Sequence, residues 1–215
     1  MRRLLSLALV LVLAGVLAGC GGGGNAAVTV FGQTLSDQRA DGDVSFDPVL
    51  NTFTIAHATD TGNVILGIDE GNINFPEFRA FLDFPLDGST GGDAIPLNAV
   101  IVSADIEVFV SRVDFATPVP TLLDLVTYPV TGPTAVDFNS PPLTPTSFRT
   151  LNFFAADEGN FVRIDVTPLM KEAQRQGLRN FQLRFLLDFV PGAAGLVTIA
   201  DAGAGTAPLL TVEFF

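Results

Sequence analysis

Four arginines, Arg79, Arg149, Arg163 and Arg184, fall inside stretches that read as β-strands. A guanidinium is a planar fork of donors that matches a carboxylate, so strands bringing these four to one face would build a cleft for an acidic ligand. Asp83, Asp165 and Asp188 lie in the same strands, and the alternative is a solvated sheet face on which each arginine meets a cross-strand acid. Tyr128 is the only tyrosine, and there is no tryptophan. Its ring could stack on a sugar, or it is a rim residue of the core beside Pro129. Asp37, Asp41, Asp43 and Asp47 offer hard oxygen ligands close together, as a calcium loop does, but without the D-x-D-x-D-G order of an EF-hand; a solvated acidic loop has the same composition. Asp157 and Glu158 before Gly159 raise the same pair of readings. His57 is the sole histidine, and no G-x-S-x-G turn accompanies it. It reads as structural, and no catalytic residue is assigned.

The one cysteine has a specific setting. Arg2 and Arg3 precede an apolar run from Leu4 to Leu17, followed by Ala18, Gly19 and Cys20. A basic start, a run too short to cross a bilayer and a small-residue end are the marks of a secretory signal. Leu17-Ala18-Gly19-Cys20 resembles the lipobox of bacterial lipoproteins, which implies cleavage before Cys20 and acylation of its thiol. An ordinary signal peptide ending by chance at a cysteine is the alternative, but it leaves an unpaired thiol in an oxidising compartment. Gly21 follows rather than aspartate, which in that family implies the outer membrane of the envelope. The expected organisation is a signal peptide over 1–19, an acylated, Gly-rich tether over 20–27 and one domain over 28–215.

Composition narrows the partners. The chain of 215 residues is 48% hydrophobic and 16% charged, enough for one well-buried core. Its net charge of -12 becomes -14 once Arg2 and Arg3 are removed, which argues against nucleic acid and, over a Debye length, against anionic lipid.

The elements that must hold these residues are mostly strands. From Ala99 to Ser111, Val100, Val102, Ala104, Ile106, Val108 and Val110 alternate with a mixed face, and Phe181, Leu183, Phe185, Leu187 and Phe189 do the same over Asn180–Phe189. Shorter candidates are Val28–Phe31, Thr52–Ala58, Asn63–Ile68, Phe78–Phe84, Leu122–Tyr128, Phe148–Phe154, Phe161–Val166, Leu196–Ala200 and Leu209–Phe215. The stretch from Asp37 to Asp47 is irregular. One helix is expected from Thr167 as cap, through Pro168, to Gly177 just past its end. The fold class is all-β: a two-sheet antiparallel β-sandwich with one short helix.

Phe78-Arg79-Ala80-Phe81-Leu82-Asp83-Phe84, the Ile101-to-Val110 strand, Val162-Arg163-Ile164-Asp165-Val166-Thr167-Pro168-Leu169 and the closing Pro208-to-Phe214 segment resemble, in order and spacing, the DNRLRE domain family. The resemblance implies a jelly roll on a secreted or surface-attached bacterial protein, akin to carbohydrate-binding modules for uronic-acid polysaccharides. This chain has Asp83 where the family often has arginine and lacks a helix tryptophan, so no binding residue is carried over. The expected function is a lipid-anchored envelope module that binds a polysaccharide. The alternatives are a structural or interaction lipoprotein that meets an envelope protein and, remotely, a polysaccharide-degrading enzyme.

Overall fold

The computed structural model describes residues 28–145, 148–188, 194–203 and 205–215. Its strands are β1 (Val30–Leu35), β2 (Gly42–Asp47), β3 (Thr52–His57), β4 (Asn63–Ile68), β5 (Glu77–Pro85), β6 (Ile101–Asp114), β7 (Val119–Leu125), β8 (Phe148–Phe153), β9 (Asn160–Asp165), β10 (Asn180–Leu187), β11 (Leu196–Ala200) and β12 (Leu209–Phe214). Helices α1 (Ala58–Thr61) and α2 (Thr167–Gln176) complete the chain, with 3-10 turns at Ala135–Asn139 and Ala155–Asp157. All strand pairs are antiparallel, and the fold is the expected all-β sandwich.

The two layers are one sheet folded over on itself. In the first, β6 pairs with β9 along one edge and with β11 and β12 along the other, and β1 and β4 lie outside β12 and β11. The second runs β3-β2-β5-β10-β7-β8. They join where Gly67 and Ile68 of β4 pair with Phe78 and Glu77 of β5. Gly67 has a φ of 116°, and a Cβ there would stand 2.0 Å from the Gly195 carbonyl oxygen. Only glycine fits that corner.

Strand alternation fills the space between the layers. Ala104, Ile106, Val108 and Val110 of β6 face Leu82, Phe84, Phe181, Leu183 and Phe185 in one dry cluster, which also takes up Leu169, Met170 and Ala173 of α2. These three residues form one apolar stripe of α2. Its start differs from the expected one: Val166 occupies the cap, while Thr167 Oγ1 accepts from Ala104 N at 2.9 Å and so ties the helix to β6. Gly177, at a φ of 67°, ends the helix as the sequence indicates.

Two expectations change. Val100 and Val102 do not share the buried face of β6; both are exposed and Ile101 is buried instead. Phe214 pairs with Ile101 and Glu213 with Ser103, so Val102 is skipped, and this bulge reverses the facing of the strand start. The stretch taken as irregular contains β2, an inner strand between β3 and β5. Phe189 lies outside the described residues.

Candidate functional site

The four arginines fall in two groups and each has a carboxylate of its own: Arg79 and Arg184 both donate to the Phe138 carbonyl, and Arg149 and Arg163 hold the facing pair Asp165 and Asp105. Arg184, on the outer side of β10, donates to Asp124 Oδ2 at 2.6 Å and to the carbonyls of Asp137, Phe138 and Ser140. Segment 126–143 covers it, so it is buried. Arg79 bonds Glu77 at 2.8 Å and stacks 3.9 Å above the Phe138 ring. Arg149 holds Asp165 at 2.9 Å, and Arg163 holds Asp105 at 2.6 Å. The acidic-ligand cleft is therefore not formed. Acids neutralise these cations: Asp124, Asp105 and Asp165 come from other strands, whereas Glu77 lies in the same strand as Arg79, and of the acids named in the alternative only Asp165 is a partner.

Tyr128 is not a platform for a sugar. It is buried edge-on against Phe81, at 5.3 Å between ring centroids, and its backbone N–H donates to Gln182 Oε1. Burial and nearby aspartates push its phenol well above the ordinary range.

The four aspartates also part company. Asp37 Oδ1 accepts from the Arg39 N–H groups, Asp41 Oδ1 from Asp83 N, Asp43 Oδ2 from Ile65 N, and Asp47 Oδ1 from Val49 N and Leu50 N. Among the described residues no group of three or more His, Cys, Asp or Glu is placed to hold a metal. Their positions explain unusual acidities instead. Burial raises Asp43 to about 7 and Asp83 to about 6. Asp41 is pushed well up by burial and by the charge of Asp201, which is raised in turn. Asp41 Oδ2 and Asp201 Oδ2 are buried without a hydrogen-bond partner, which disfavours charge on both carboxyls at once. His57 lies against Gly132 at the end of β3. Cys20 lies outside the described residues.

A different arrangement stands on the outer face of the first layer. Alternation points Gln33 of β1, Thr211 and Leu209 of β12, Asp105 and Glu107 of β6 and Arg163 of β9 to the same side, where they line a shallow recess of about 210 Å³. The register fixes their order: Gln33 lies opposite Thr211, Thr211 opposite Asp105, and Glu107 opposite Arg163. Gln33 Nε2 donates to Thr211 Oγ1 at 3.1 Å. Asp105 also faces Asp165 across the strands. That like-charge pair is relieved because Arg163 and Arg149 each take one of its members.

One step further along the same two strands, Phe109 and Phe161 meet edge to face at 5.1 Å, with Phe161 half exposed. On β1 the exposed Phe31 stands beside Gln33 on that side. The face thus alternates amide, hydroxyl, carboxylate and guanidinium groups, with phenylalanine rings at its margins. Carboxylates accept from paired sugar hydroxyls, amide and guanidinium donate to ring and hydroxyl oxygens, and apolar rings take the sugar's C–H face. Of these residues only Arg163 was singled out from sequence. The others were hidden because register, and not chain spacing, gathers them from four strands. Compared with family models and with curated proteins, the chain matches neither.

Proposed function

We propose that this protein is exported, acylated at Cys20 and anchored to the bacterial envelope, at the outer membrane, where its sandwich binds a polysaccharide. The observation that carries the binding reading is the outer face of β1, β12, β6 and β9, with hydrogen-bonding groups of both signs between exposed phenylalanines. The resemblance to DNRLRE sandwiches supports it, and so does the lipobox-like segment that ends at Cys20.

The charge of the face selects among glycans. Asp105 and Glu107 outnumber Arg163 there, and the body is strongly acidic. A neutral, hydroxyl-rich chain is therefore favoured over a polyuronate, which both carboxylates would repel. The recess is smaller than an enclosed small-molecule pocket, which suits contact with part of a chain lying across the sheet. Affinity electrophoresis tests this: mobility should fall in gels containing at least one neutral polysaccharide, and equal mobility in every gel would reject it.

A second reading rests on β3, an edge strand that among the described residues pairs only with β2 and exposes Phe53 and Ile55, next to exposed Val49 and Leu50. An unpaired, apolar edge can add a strand from an envelope protein. Crosslinking in intact envelopes through residues of β3 distinguishes it from glycan binding.

A further inference from the structure

The bulge at the start of β6 turns Val100 and Val102 outward at the end of the sandwich where the chain enters β1. Val100 and Phe215 exchange backbone hydrogen bonds, and Val30 lies opposite Phe214. Val30, Val100 and Phe215 are each more than half exposed, and Leu97 is exposed beside them. The last turns of α2 reach the same end, where Gln174 Nε2 donates to the Pro96 carbonyl at 3.1 Å. Leu97, Val100, Lys171 and Arg175 line a recess of about 430 Å³. Leu97 also lines a second, of about 360 Å³, with Arg179.

Only nine of the 11 Lys and Arg remain without Arg2 and Arg3, and three of them, Lys171, Arg175 and Arg179, gather here. Arg175 is held by Glu172, but Lys171 and Arg179 make no ion pair among the described residues. Asp87 lines the recess beside Arg179, so Lys171 is the cation with no acid beside it among the described residues of either recess. Apolar side chains flanked by these cations match a bilayer surface that contains anionic headgroups, where the local charge acts within a Debye length although the body as a whole is acidic.

The tether decides which end can reach it. From Cys20 to Val30 the chain spans at most about 35 Å. The 14 residues of β6 run for about 43 Å. The far end, where Phe115 meets Gly71 in the loop that carries Ile73, therefore cannot turn to the membrane on that tether. We infer that the anchored protein lies with the Leu97, Val100, Phe215 and α2 end against the bilayer, its cations on anionic headgroups. This placement rests on the proposed acylation of Cys20. It leaves the β6–β9 face directed sideways, open to a glycan.

The test uses the full, acylated chain in phosphatidylethanolamine and phosphatidylglycerol vesicles carrying a doxyl-labelled lipid quencher. Cys20 is the single cysteine, so once it is acylated V100C and I73C each present one free thiol for a fluorophore. V100C should be quenched at least twofold more than I73C, and K171E/R179E should remove at least half of that difference. Equal quenching in protein that does carry the lipid overturns the placement alone. A V100C dye that is shielded in detergent and unquenched in vesicles also overturns it, because a protein then covers the face. Dye uptake at Cys20 of the unsubstituted protein defeats the anchor, and the placement with it.

Discussion

Arg184 Nη2 and Asp124 Oδ2 lie 2.6 Å apart, and both side chains are at least 95% sealed from water. The pair sits between the second layer and segment 126–143, and Arg184 Nη1 fixes that segment through the carbonyls of Asp137, Phe138 and Ser140. Asp124 is held above its ordinary range by burial, against the pull of Arg184.

Removing one partner should cost far more than removing both. Asp124→Ala leaves a buried guanidinium without its counter-ion, and urea denaturation should show a loss of about 3–5 kcal/mol. Arg184→Met combined with Asp124→Leu should recover most of it. A loss below about 1 kcal/mol in the single variant would mean that the arginine is not buried as described.

Stability should fall as pH rises above the acid range. Burial raises Asp43 to about 7 and Asp83 to about 6, with Asp41 and Asp201 raised as well. The native state then holds more protons than the unfolded chain across that interval. The stability that these raised groups contribute is full below the ordinary aspartate range and is lost as pH rises through about 6 to 7. Asp47, Asp87, Asp165 and Glu172 are lowered by hydrogen bonds, so their contribution disappears at lower pH, as they protonate. Melting should occur several degrees higher at pH 5 than at pH 8. Asp43→Asn should raise the pH 8 value and flatten the dependence. A higher melting temperature at pH 8 in the unsubstituted protein would contradict this.

The corner between the layers should tolerate no side chain. Gly67→Ala imposes a positive φ on alanine and drives its Cβ onto the Gly195 carbonyl, and a loss of about 2–4 kcal/mol is expected. Gly205 has open space around the Cβ position, so Gly205→Ala should stay within about 0.5 kcal/mol. Equal effects in thermal melts would show that the chain turns elsewhere.

Much of the fold was legible because its strands alternate plainly. Phe181, Leu183, Phe185 and Leu187 are all buried as their spacing indicates. β2 was hidden because Asp41 and Asp43 look like loop residues, and only the structure shows them buried, Asp41 beside Asp201 and Asp43 bonded to β4. The bulge at Val102 leaves no mark on an apolar run in which every other residue is valine, alanine or isoleucine. Arg184 was legible as a strand residue but not as a buried one, since the segment that covers it is distant in sequence. Among the described residues eight phenylalanines are exposed, because strand ends and outer faces carry them as well as the core.

The binding face makes the sharpest demand. Asp105→Ala removes an acceptor from the recess and releases Arg163, a solvent-exposed partner whose loss should barely change stability. Affinity for a retained glycan should drop at least tenfold while the melting temperature stays within about 2 °C. Asp188→Ala, away from the recess, should leave affinity unchanged.

The most direct measurement is a nuclear magnetic resonance titration of the protein with neutral oligosaccharides, read residue by residue. Shifts that cluster on Gln33, Asp105, Glu107, Phe161, Arg163 and Thr211 are the predicted result. Spectra that stay unchanged across the oligosaccharides, or that move only at β3 or α2, would contradict a glycan-binding role for this face.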